Sequence, residues 1–141
     1  MKDLILARNG DFRRRCIRIF NSDYNEGAIR PLDSVLERAI NTRPLCHYLS
    51  YDTASKRLHA IRRHGLTNVV KEKIARQMWA ELAGQVTEIM SRHPDKSFEK
   101  ALSFVLNFCR PSRFYISLDT ARRIVAPDVS YHLSYNTSEL V

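Results

Sequence analysis

Glycine and proline are scarce in this chain, four and five residues of 141. Tight turns depend on one or the other, so the scarcity argues against a turn-rich all-β fold and against a low-complexity disordered chain. Cysteine is equally sparse: Cys16, Cys46 and Cys109 form no Cys-x-x-Cys pair. An odd count without close spacing fits reduced thiols and a cytoplasmic location better than a secreted disulfide framework. No apolar run approaches the roughly eighteen residues of a membrane span, and the apolar stretch within Met1–Arg8 is too short for a signal peptide. No glycine loop that could cradle a phosphate, no Gly-x-Ser-x-Gly and no paired metal-ligand spacing occurs. The five histidines are scattered, and the adjacent Cys46-His47 cannot alone supply the three or four ligands zinc requires. Neither a cofactor nor a metal is expected, and the chain is expected not to be an enzyme.

What is present is positive charge. The net charge of +8 is uneven, +6 over residues 1–65 and +2 over residues 66–141, and it is densest at Arg13, Arg14, Arg15 and Arg18. A basic surface concentrates polyanions through long-range electrostatics. With 44% hydrophobic residues, the length suits one domain, residues 1–141, with a core that needs no disulfide or metal.

The chain also repeats itself. The segment beginning Arg43-Pro44 returns 67 residues later at Arg110-Pro111, with seven of sixteen positions identical in the pattern R-P-x-x-x-Y-x-S-x-D-T-A. Val35-Leu36 through Asn41 matches Ala101-Leu102 through Asn107 in hydrophobic pattern, which extends the correspondence. We read an all-α fold of two tandem repeats, residues 9–65 and 66–127, each running helix, helix, Arg-Pro loop, capped helix. Residues 128–141 read as a polar tail, where a third echo at Leu133–Ser138 lacks any following apolar periodicity.

Periodicity and capping place the elements. Phe12, Cys16, Ile19 and Phe20 share one stripe of a helix over Asp11–Ser22, with Arg14 and Arg18 opposite. Pro31 suits the first turn of a second helix built on Val35, Leu36, Ala39 and Ile40. Ser50 is the expected cap of a third, whose inner face is Tyr51, Ala54, Leu58 and Ile61 and which stops at Gly65. The second repeat is predicted to open with one long helix over Val69–Arg92, carrying Glu72–Arg76 and Glu88–Arg92 pairs. A helix over Ser97–Phe108 and a short one over Leu118–Val125, ended by Pro127, complete the chain.

Two readings of the repeated motif compete. In the structural one, proline stiffens the loop, Ser50 and Ser117 cap, and Asp52 and Asp119 complement the helix dipole. In the functional one, each exposed helix start and its nearby arginine form an anion site. The segments starting at Ser50 and Ser117 resemble the opening of a helix-turn-helix recognition helix, although Pro44 and Tyr48 stand where that motif has its glycine turn. Pro111-Ser112-Arg113-Phe114-Tyr115-Ile116-Ser117 and onward to Ala121 resembles a segment of small uncharacterised helical proteins of bacterial mobile elements and prophage-like islands. That resemblance covers about a dozen residues and implies a role beside DNA transactions, with no known chemistry. The expected function is therefore nucleic-acid binding without catalysis, with Arg14, Arg15, Arg18, Arg43, Lys56, Arg57, Arg63, Arg110 and Arg113 as contacts. The alternative is a protein-interaction adaptor whose basic surface meets an acidic partner or is merely solvated. His59-Ala60-Ile61-Arg62 matches the H-x-x-R element of tyrosine recombinases, with Tyr131 or Tyr135 downstream, but the chain is shorter than that catalytic domain. Pro94-Asp95 with Glu99-Lys100 lacks both the spacing and the strands of a PD-(D/E)xK nuclease.

Overall fold

Helices account for every regular element among the described residues: α1 (Lys2–Asn25), α2 (Leu32–Ile40), α3 (Tyr51–His64), α4 (Leu66–Val69), α5 (Lys73–Arg92), α6 (Phe98–Phe108) and α7 (Leu118–Tyr135). The computed structural model describes the backbone of residues 2–135 and the side chains of residues 3–126. The expected all-α class holds, and the helices pack into one domain. None of them is long and apolar enough to cross a membrane.

Several boundaries differ from the sequence reading. The first helix starts at Lys2 rather than Asp11, because Leu4 and Arg8 continue the row of Phe12 and Cys16 at four-residue spacing. The long helix expected over Val69–Arg92 is two pieces. Glu72 does not begin a run of helix with Arg76 but caps α5, its carboxylate accepting from Ile74 N–H at 3.0 Å and Ala75 N–H at 2.6 Å. Those bonds hold the Glu72 carboxyl below the usual carboxylate range. Tyr51, expected inside, is exposed. The last helix runs through Pro127 to Tyr135 rather than ending near Val125, so the stretch read as a polar tail is helical as far as Tyr135. An interior proline removes one hydrogen bond and can kink a helix without terminating it. The rest of that tail and the end of its Leu133–Ser138 echo lie outside the described residues.

The capping residues act as read. Ser50 Oγ accepts from Thr53 N–H and Ser117 Oγ from Thr120 N–H, both at 3.1 Å. Ser97, expected as the first residue of its helix, is instead the cap of α6, through Lys100 N–H. Gly65 ends α3 at φ 87° and ψ 148°, a conformation essentially restricted to glycine. Adding a Cβ there meets nothing closer than Asn68 Nδ2 at 3.7 Å, so the cost of Gly65→Ala is conformational rather than steric. Urea denaturation should show that substitution lowering stability by about 1–3 kcal/mol.

Packing does not follow chain order. One core joins Phe12 and Cys16 of α1 and the apolar face of α2 to Phe114, Ile116 and α7. The other joins Trp79, Leu82 and Val86 of α5 and the face of α6 to Ala54 and Leu58 of α3, with α4 against it. Each pair of helices is therefore completed by a capped helix from the other half of the chain. Phe12, Cys16, Ile19 and Phe20 stand in the first core where Leu82, Val86, Ile89 and Met90, each 70 residues later, stand in the second. Arg13 Nε donates to Ile124 O across the first core, and Arg122 ties α7 to α2 through both carboxylate oxygens of Asp33 at 3.0 and 2.7 Å.

Candidate nucleic-acid interface

Two arginines expected to meet phosphate instead hold the two loops together. Arg43 donates from Nε to Pro111 O at 3.2 Å and from Nη2 to Arg110 O at 3.0 Å. Arg110 answers from Nε to Pro44 O at 2.7 Å and from Nη2 to Arg43 O at 2.8 Å. The exchange is reciprocal. Both prolines are buried, and these loop carbonyls lie outside the helices, so the guanidinium forks supply their donors. A signal for this clasp existed in the sequence: the same arginine, in the same register, appears in both copies.

An acid on the preceding helix pins each loop, buried at Asp11 and half-buried at Glu81. Asp11 Oδ2 accepts from Leu45 N–H at 2.9 Å and from the Tyr48 hydroxyl at 2.7 Å. Seventy residues on, Glu81 Oε1 accepts from Ser112 N–H at 2.7 Å, and Ser112 is the counterpart of Leu45. Tyr48 itself has φ 54°, a left-handed conformation for a bulky residue, so the Asp11 contact holds the backbone against its preference. Burial, and then the bond to Asp11, push the Tyr48 phenol well above its usual pKa, so it stays protonated as a donor.

Three more of the nine cations are engaged with the protein. Arg113 donates to Phe114 O at 3.1 Å and lies over the Tyr115 ring. Arg57 stacks 5.9 Å from the Trp79 ring centre. Arg15 pairs with Asp11 at 3.5 Å. Lys56 meets Asp52 at 3.1 Å, but both groups are exposed and such a pair contributes little. Arg63 is exposed at the end of α3, beside Arg62, which lies over the Phe98 ring.

Arg14 and Arg18 remain, exposed one turn apart on the outer face of α1. They border a shallow depression with Asn21, Ser22 and Asn25, residues the sequence reading passed over although they continue the same outward row. The acids of this helix do not neutralise the row. Asp11 and Asp23 are 1% and 5% exposed, the first engaged as described and the second bound by Arg38 at 2.6 Å. That bond holds the Asp23 carboxyl below the usual range. Between Asp3 and Glu26, α1 shows solvent no carboxylate.

The thiol chemistry is structural at Cys16, where burial in the core pushes the pKa up to about 12 and removes its nucleophilic form. All three cysteines are free. Among the described residues no group of three His, Cys, Asp or Glu side chains is placed to hold a metal ion. Comparisons with protein-family models, with curated proteins and with solved structures each give no match.

Proposed function

We propose that this protein binds nucleic acid without catalysis, through the outer face of α1, as an accessory in a DNA transaction. The observation that carries the reading is the disposition of charge on that helix: its interior acids are turned inward and paired while Arg14 and Arg18 face water. A helix about 36 Å long with cations and an exposed amide along one row offers phosphate contacts from the arginines and hydrogen bonds from Asn25. Arg63 and Lys56 supply a second cationic area, whereas Arg43 and Arg110 serve the fold. The resemblance of residues 111–121 to helical proteins of bacterial mobile elements supports the same reading, and with it we place the protein in the cytoplasm.

A second reading rests on a separate observation. Phe108 is 74% exposed and stacks on Phe104 at 5.1 Å, an apolar pair on α6 suited to a protein partner.

Fluorescence anisotropy with duplex and single-stranded DNA over a salt series tests the first reading. Binding should weaken steeply with salt, and Arg14→Glu with Arg18→Glu should reduce the slope of log K against log salt by about 2. Both side chains are solvent-facing, so the melting temperature of the variant should hold. Absence of binding at low salt, or an unchanged slope in the variant, rejects the reading and favours the adaptor.

A further inference from the structure

A cavity of about 200 Å³ opens between the two Arg-Pro loops, walled by the start of α1, by α5 and by both loops. It straddles the internal correspondence of the chain. Both loop prolines and both loop tyrosines line it, Pro44 with Pro111 and Tyr48 with Tyr115. Three further pairs line it with unlike members: Arg8 and Met78, Cys46 and Arg113, His47 and Phe114. Where the scaffold is the same in both halves, one member of each pair is a polar, ionisable group and its counterpart differs in kind. Packing alone is served by Met78 and Phe114 and gives no reason for Arg8 or His47.

Among the described residues no carboxylate pairs with the charges here. Arg8 is half-buried, and among the described residues its guanidinium donates to Asn9 Oδ1 alone, at 3.1 and 2.9 Å, a neutral partner. Burial accordingly lowers its pKa, with no carboxylate to offset the loss of water. Arg113 gives its Nε to Phe114 O at 3.1 Å and its Nη2 to Ile116 O at 3.5 Å, both neutral carbonyls, and the nearby Glu81 is committed to Ser112 N–H.

His47 adds an unmatched acceptor. It is 7% exposed, and its Nε2 lies 2.6 Å from Gln85 Oε1. Gln85 Nε2 donates to Arg110 O at 3.0 Å, so its Oε1 is the acceptor and His47 Nε2 carries the proton. The Nδ1 lone pair then meets no donor among the described residues. Burial disfavours the imidazolium form, so a second ring proton does not resolve the mismatch.

We propose that this cavity binds a small organic carboxylate with an apolar body. The carboxylate faces Arg8 and Arg113, the body lies against Met78 and Phe114, and a hydroxyl or amine on the ligand would satisfy His47. The volume admits a ligand of benzoate size. The proposal does not depend on nucleic-acid binding, which uses the outer face of α1.

The test is a ¹H–¹⁵N NMR titration of the full chain with benzoate, 3-hydroxybenzoate and, as the uncharged control, benzamide, at constant ionic strength. Benzoate should give saturable shifts at Arg8 Nε–H and the amides of residues 46–49, and 3-hydroxybenzoate should also move the His47 ring nitrogens. Benzamide should bind at least about tenfold more weakly, because it forfeits the charge-assisted bonds. Arg8→Gln should weaken benzoate by a similar factor. Met78→Trp, which fills the cavity from the opposite wall and leaves Arg8 in place, should abolish binding, so the proposal stays testable if the Arg8 variant misfolds. Neither variant should alter the salt slope for DNA. No saturable shift with either carboxylate, equal binding of benzamide, or undiminished binding in Met78→Trp overturns the proposal.

Discussion

Phe114→Ala is expected to lower the free energy of unfolding by about 3–5 kcal/mol, the range for removing a fully buried aromatic ring. The side chain is 1% exposed and its ring meets Phe12 edge-on, with centroids 5.3 Å apart at 73°. Its own N–H donates to Ile40 O at 2.9 Å, so the residue docks the second Arg-Pro loop on the end of α2. The substitution therefore loosens a contact between the two halves of the chain, not one within a half. A double-mutant cycle with Phe12→Ala should return a coupling of about 0.5–1.5 kcal/mol in urea denaturation, whereas a chain in which each half packed on itself would give additive losses.

The second large effect is expected at Asp11. Replacing it by alanine strands the Leu45 N–H and the Tyr48 hydroxyl in a site where the carboxylate is 1% exposed. Each buried donor left without a partner costs about 1–3 kcal/mol, so the variant should lose roughly 3–5 kcal/mol. Tyr48 would also lose the contact that holds its left-handed backbone. Asp11→Asn keeps an acceptor for both donors and should lose about half as much, since the charge assistance and the Arg15 pair go. The counterpart Glu81→Ala should cost less than Asp11→Ala, because Glu81 is only partly buried and the Ser112 N–H it leaves lies near solvent. An Asp11→Ala variant as stable as the Glu81→Ala variant would show that the buried acid is not the anchor of the first loop.

Much of the local architecture was legible in the residues themselves. The Phe12 and Cys16 stripe, the α2 face from Val35 to Ile40, the Ser50 and Ser117 caps and the Gly65 stop all depend on neighbours within a few positions. The exceptions have local causes too. Glu72 satisfied a helix start instead of an i,i+4 pair, and Pro127 interrupted α7 less than a proline of its position suggests. The candidate interface was half legible: Arg14 and Arg18 were named, whereas Asn21 and Asn25 were not, because amides carry no charge signal.

The amino-acid order by itself thus determined that the chain is helical, where α3 and α7 are capped, and that its Arg-Pro motif recurs, since hydrogen bonds within a turn and the 3.6-residue period are short-range properties. Only the tertiary structure decided that α3 and α7 complete each other's halves and that Arg43 and Arg110 grip opposing carbonyls. A guanidinium fork serves a carbonyl, a carboxylate or a phosphate alike, and which one it meets is set by distances between segments 67 residues apart.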